Sequence, residues 1–189
     1  VRGDADMTLA DLDAMDEASF VRTLGGVFEH SPWVAQRAYA RRPFASVTAL
    51  HAAMNDVVAG APVAEQLALL RAHPELAGKA AIRGELTADS TSEQGGAGLT
   101  SCTPEEFERL TELNRRYNAK FGFPFILAVR GPRGNGLHKR EIIATFARRL
   151  ANHPDFELAE ALRHIQRIAE IRLADKFGTS PELGNQVWD

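Results

Sequence analysis

Apolar side chains recur at three- and four-residue spacing through most of this chain, a period that suits helices and little else. Phe20, Leu24, Val27 and Phe28 give one apolar face to a helix beginning near Asp16. A second helix is expected from Ser31-Pro32, with serine as cap and proline at the first helical position, running towards Arg41-Arg42 and stopping before Pro43. A third covers about Ser46 to Val58, with Val47, Leu50, Met54, Val57 and Val58 on one side and Gly60 at its end. Pro62 opens a fourth through Leu67, Leu69 and Leu70. It ends at or near His73, because the residue before Pro74 is pushed out of helical geometry.

The stretch from Gly78 to Ser101 reads differently. It holds Gly84, Gly95, Gly96 and Gly98 among many Ser and Thr residues, and is expected to be a long irregular segment with at most one short helix. Long loops inside compact domains are often functional. Helix returns at Thr103-Pro104-Glu105-Glu106, a capping box, with Phe107, Leu110, Leu113, Tyr117 and Phe121 on the buried face. The run Phe123 to Val129 reads as a buried strand or as an extended buried segment, and Pro124 weighs against the strand. Gly131 to Gly136 reads as a surface turn. A helix from Lys139 to Leu150, with Ile142, Ile143, Phe146 and Leu150 inward, and a last one from Asp155 to Phe177 flank the breaker His153-Pro154. The fold class is therefore all-α, a single-domain helical bundle of about eight helices with a long irregular middle segment. The domain is placed at residues 12–177, between a flexible N-terminal tail (1–11) and a C-terminal tail (178–189).

Composition narrows the function. The 189 residues are 44% hydrophobic and 25% charged, which suits one domain with a sizeable core. Lys and Arg number 22 against 25 Asp and Glu, a net charge of −3, so no clustered positive field is expected and no nucleic-acid partner. Cys102 is the lone cysteine, which excludes an intrachain disulfide and a CxxC site. No apolar run nears the roughly 20 residues needed to span a bilayer, so no membrane partner is expected. Val1 to Asp16 is acidic and lacks an apolar core, unlike a signal peptide, and Val187-Trp188-Asp189 is not a peroxisomal address. A cytoplasmic setting is expected.

Arg172 is the sharpest local clue. On the last helix Leu158, Ala161, Leu162, Ile165, Ile168 and Ala169 form an apolar stripe, and Arg172 falls in its centre, whereas Glu160, Arg163, Arg167 and Glu170 lie mostly off it. A guanidinium facing a core needs an anion or several acceptors, so Arg172 is either in an internal ion pair, or snorkelling at the helix end, or an anion-binding group in a pocket. His73, at a helix C-terminus, is favoured as imidazolium by the helix dipole, but His153-Pro154 repeats the dipeptide and local chemistry does not rank the two. Ser90-Thr91-Ser92-Glu93-Gln94-Gly95-Gly96 is either a hydrogen-bonding cradle for a polar heterocycle or a polar loop with a capped helical turn. The six histidines show no HExxH or HxH spacing, so no metal site is expected. The glycine clusters lack the contexts of phosphate or dinucleotide loops, and Cys102, just before a helix N-terminus that would lower its pKa, has no committed partner.

Taken in order, Phe28-Glu29-His30-Ser31-Pro32-Trp33-Val34-Ala35, Arg42-Pro43-Phe44, His73-Pro74-Glu75-Leu76, Ser92-Glu93-Gln94, Asn114-Arg115-Arg116-Tyr117, Phe121 to Ile126 and Glu170-Ile171-Arg172-Leu173 resemble the 2-oxo-4-hydroxy-4-carboxy-5-ureidoimidazoline (OHCU) decarboxylase family. The resemblance implies an all-α carboxy-lyase that needs no cofactor and forms (S)-allantoin in urate degradation. It implies His73, Glu93 and Arg172 as the catalytic set, with Pro74 shaping the position of His73. It further implies substrate contacts from Ser90, Gln94 and the Phe125, Ile126, Leu127, Ala128 and Val129 segment, and it implies a homodimer. The other class that fits is a non-catalytic helical module binding an acidic metabolite or peptide.

Overall fold

In the computed structural model, the described residues are 7–78, 88–131 and 136–179. Residues 1–6 and 180–189 of the expected tails, 79–87 of the middle segment and 132–135 of the glycine-rich turn lie outside them. The described helices are α1 (Leu9–Asp13), α2 (Glu17–Leu24), α3 (Trp33–Ala38), α4 (Val47–Ala59), α5 (Val63–Ala72), α6 (Ala88–Gly96), α7 (Pro104–Phe121), α8 (Lys139–Arg149) and α9 (Pro154–Lys176). Short 3-10 turns occupy Tyr39–Arg41 and Leu99–Ser101. Among the described residues there is no strand, so the all-α expectation holds and Phe123 to Val129 is an irregular buried segment. These residues fall into two compact units: 7–72 with 166–179, and 73–165.

In the first unit, helix starts are written in local capping chemistry. Thr8 and Asp11 form a capping box: the Asp11 N–H donates to Thr8 Oγ1 at 3.1 Å, and the Thr8 N–H to Asp11 Oδ2 at 3.0 Å. This helix runs across the expected boundary at residue 12, and Leu12 on it is fully buried. Five residues are too few to show a period, which is why the spacing argument passes over them. Asp16 caps α2 by accepting from the Ser19 N–H at 2.7 Å, and that bond holds its carboxyl below the usual range. Ser46 caps α4 in the same way. The expected Ser31 cap does not form. Its hydroxyl donates instead to the Glu29 carbonyl at 3.0 Å, a local bond that competes with capping. Phe20, Leu24, Phe28, Val34, Leu50, Met54, Val58 and Leu70 build this unit's core.

In the second unit, α7 begins with the expected Thr103–Glu106 box and ends at Gly122, whose φ of +72° favours glycine. Tyr117 on α7 anchors an aromatic cluster. Its ring meets Phe121, Phe123, Phe125 and Phe146 at centroid distances of 4.6, 5.9, 5.4 and 5.7 Å, and Phe125 stacks on Phe146 at 3.8 Å. Phe107, expected inward, is exposed, since it sits nearly three turns before Tyr117 at the far end of α7. The short helix expected in the middle segment is α6, and Ser90, Glu93 and Gln94 stand on it.

Candidate active site

Helix α5 ends at Ala72, and His73-Pro74 starts a loop that carboxamide side chains pin down. Gln94 of α6 accepts from the Ala77 N–H at 3.0 Å and donates to the Glu75 carbonyl at 3.3 Å. Asn114 of α7 donates to the Leu76 carbonyl at 2.9 Å, and Asn118, one turn on, donates to the Glu75 carboxylate. Ala77 has φ of +50°, a conformation that costs a non-glycine residue about 1 kcal/mol or more and persists because the surroundings over-determine it. Each bond acts on residues 75–77, and together they fix the start of the loop, where His73 and Pro74 stand.

His73, Pro74, Leu76, Ser90, Glu93, Gln94, Phe125, Ile126, Leu127 and Val129 enclose a small cavity of about 10 Å³, room for one water. A wider recess of about 250 Å³ is lined by Ser92, Glu93, Gly96, Ala97, Val129, Arg130 and Gly136. Glu93 and Val129 belong to both. The tight hollow thus presents an imidazole, a carboxylate, a hydroxyl and a carboxamide against an apolar wall, and the recess adds the Arg130 cation. Gln94 retains one N–H and one lone pair beyond its two loop bonds, enough to meet a ring amide.

The apolar wall is held by its backbone. Arg149 Nη1 donates to the Ile126 carbonyl at 2.6 Å, and the Ala128 N–H donates to His164 Nδ1 at 3.2 Å. Ala128 is the one residue of the run 125–129 that does not line the hollow. Burial, reinforced by the Arg149, Arg148 and Arg163 charges, pushes His164 well below its ordinary pKa, which favours the neutral ring, and because Nδ1 accepts from the Ala128 N–H that ring keeps its proton on Nε2.

Arg172 is placed in the first unit, where it is 4% exposed. Its Nη1 lies 2.7 Å from Glu29 Oε2 and 3.3 Å from the Gly26 carbonyl, an internal ion pair. Arg167, expected off the apolar stripe, is buried and pairs with Glu170 at 2.7 Å. The two His-Pro histidines now separate: His73 lines the hollow, while His153 is exposed and 3.6 Å from Asp155. Burial raises the Cys102 pKa, against the lowering expected from its helix, and its thiol donates to the Leu99 carbonyl.

The family model described as OHCU decarboxylase matches residues 13–174, which takes in both units. The chain belongs to the OHCU decarboxylase family. The 2-oxo-4-hydroxy-4-carboxy-5-ureidoimidazoline decarboxylase of Haloferax volcanii is 40% identical over 174 residues, 92% of this chain and 98% of that one. The uric acid degradation bifunctional protein of Bacillus subtilis is 40% identical over 168 residues, which is 89% of this chain but 32% of that protein. Among solved structures, that of an (S)-allantoin synthase superposes with a TM-score of 0.69 at 31% identity, covering 90% of this chain and 54% of its own.

Proposed function

We propose that this chain decarboxylates OHCU to (S)-allantoin in urate degradation, without an added cofactor. The observation that carries the reading is the hollow in which His73 and Glu93 face the Phe125 to Val129 wall, in a chain of this family. In OHCU the carboxylate leaves from a ring carbon that also bears a hydroxyl, next to a C=N bond. The electron pair of the breaking C–C bond moves into that C=N, so the substrate supplies its own electron sink. The enol-like intermediate then collapses: the hydroxyl becomes the product carbonyl and the ureido-bearing carbon takes a proton.

Within this scheme His73 is the acid/base at the hydroxyl and at proton delivery. Glu93 orients the hydroxyl or His73, Ser90 and Gln94 meet the polar ring edge, and Pro74 fixes the imidazole. Arg172 is assigned to the anionic charge of the substrate on the resemblance alone. We also assign a homodimer, on the same ground, and a cytosolic setting. Among the described residues no helix is long and apolar enough to cross a membrane.

The test uses freshly made racemic OHCU with circular dichroism and CO2 release as readouts. Wild type is expected to give an excess of (S)-allantoin with no cofactor added. His73→Ala is expected to lose about 10²- to 10⁴-fold in kcat, the usual weight of a positioned acid/base. An unimpaired His73→Ala variant removes His73 from the mechanism. A wild type that binds OHCU but releases no CO2 makes the chain a binding module.

A further inference from the structure

Two buried ionisable side chains grip the cavity wall, and neither lines the cavity. Arg149 is 0% exposed and His164 is 1% exposed. Arg149 is immobilised: Nε and Nη2 both meet Glu157 Oε1, at 2.9 and 2.6 Å, and its guanidinium lies 4.5 Å over the Phe125 ring. Asn152 donates to the other Glu157 oxygen at 2.8 Å, and the Tyr117 hydroxyl also donates to Glu157. With Nη1 on the Ile126 carbonyl, the whole network is a fixed peg on one peptide of the wall. His164 is the second peg, two residues along at the Ala128 amide.

That spacing has a geometric consequence. In extended backbone, peptide groups two residues apart point to one side, and those of the residue between them point to the other. With Ile126 and Ala128 both turned towards their pegs, that alternation would turn the N–H and C=O of Leu127 the other way, and Leu127 is among the residues that line the hollow. The following carbonyls are committed elsewhere, Ala128 to the Gly131 N–H at 2.9 Å and Val129 to the Leu137 N–H at 2.8 Å. A donor and an acceptor on one residue, side by side, match the C=O and N–H edge of a ring ureide.

We propose that His164 is a positioning residue for the decarboxylation: its Nδ1 fixes the Ala128 amide and so the direction in which Leu127 presents its peptide groups to the substrate. This rests on the decarboxylase reading of the same hollow. The imidazole is a hydrogen-bond acceptor on an apolar helix stripe, and its acceptor atom, rather than its bulk, is what the wall uses.

Three replacements separate acceptor from bulk. In His164→Asn, Oδ1 stands close to the place of Nδ1; in His164→Gln the acceptor moves one bond further out; in His164→Leu it is gone while the volume is kept. With OHCU as substrate, His164→Leu is expected to lose about 100-fold in kcat/KM, chiefly in kcat, because the substrate binds away from its reactive pose. His164→Asn recovers about tenfold or more of that loss and His164→Gln does not. A packing role alone gives the reverse order, with Leu the mildest change, and that result overturns the proposal. Should His164→Leu fail to fold, the Asn-against-Gln ranking decides, and equal activities overturn it. Amide exchange at Ala128 in the free protein is the second readout: slow in wild type and His164→Asn, and faster by about 100-fold in His164→Leu or His164→Gln. Fast exchange in wild type also overturns the proposal. A wild type inert towards OHCU, with the exchange pattern intact, sinks the decarboxylase reading and leaves the anchoring of Ala128 standing.

Discussion

Two of the segments that line the hollow are held by different chemistry. The loop after His73 is pinned by neutral carboxamides, Gln94, Asn114 and Asn118. The Phe125 to Val129 segment is pinned by ionisable groups, the Arg149–Glu157 pair and His164. Carboxamides do not titrate at any physiological pH, and removing one leaves an unmet carbonyl or amide but no unpaired charge. A buried ion pair is different, because each charge depends on the other to offset its desolvation. One wall is therefore held by donors that do not titrate, and the other by a mutually dependent ion pair and an imidazole.

The difference is broken hardest at Arg149. Arg149→Leu leaves the fully buried Glu157 carboxylate without its cation, and is expected to cost about 3–5 kcal/mol, read by urea or thermal unfolding. The double variant Arg149→Leu with Glu157→Gln removes both charges and is expected to regain much of that loss, while the Ile126 carbonyl still lacks its donor. If the single and double variants are equally unstable, the two walls do not differ in the way described.

On the other wall, Asn114→Ala is expected to cost about 1–3 kcal/mol by the same measurement, the penalty of leaving the Leu76 carbonyl unmet. The low end is expected, because among the described residues Asn114 Oδ1 is buried without a hydrogen-bond partner and its removal relieves that burden. A loss as large as that of Arg149→Leu would erase the contrast.

What the sequence made legible follows the range of the forces involved. Helices α2, α4, α7 and α9 were readable because caps and breakers act within a few residues: Asp16 with Ser19, Ser46 with Ala49, Thr103 with Glu106, and Pro154 after His153. The inward Arg172 was readable from the stripe, though not its partner Glu29, 143 positions earlier. Arg149, Glu157 and His164 were missed although the same period marks them. Arg149 is seven residues after Ile142 and three after Phe146, while Glu157 and His164 bracket Ala161 at four and three. Charge on an apolar stripe was the signal, and it applies to all of them. By contrast, nothing local separates His73 from His153, since both precede proline beside a helix end. Only the neighbours that the fold brings to each can tell them apart, and the roles of Gln94 and Ala77 are likewise tertiary.

The smallest expected effect concerns pH and isolates His164. Its pKa is ordinary, near 6.5, in the unfolded chain and well below that in the folded one, owing to burial and then to the Arg149, Arg148 and Arg163 charges. Between the two values the unfolded chain binds the extra proton, so unfolding draws a proton in and stability rises with pH. The contribution is complete above about pH 7.5 and is lost as pH falls through 6.5 towards the folded value, at up to about 1.4 kcal/mol per pH unit. Protonation of Nδ1 would also turn the acceptor of the Ala128 amide into a second donor, which is why the folded protein resists it. Thermal unfolding of wild type between pH 7.5 and 5.5 is expected to show this loss, and His164→Asn, with no proton to bind there, is expected to be flatter by about 1 kcal/mol over the interval. Because Gln94, Asn114 and Asn118 carry no titrating group, Asn114→Ala should change the height of the pH curve and leave its slope alone. Parallel curves for wild type and His164→Asn would mean that the imidazole titrates alike in both states, and that the ionisable wall is no more pH-sensitive than the neutral one.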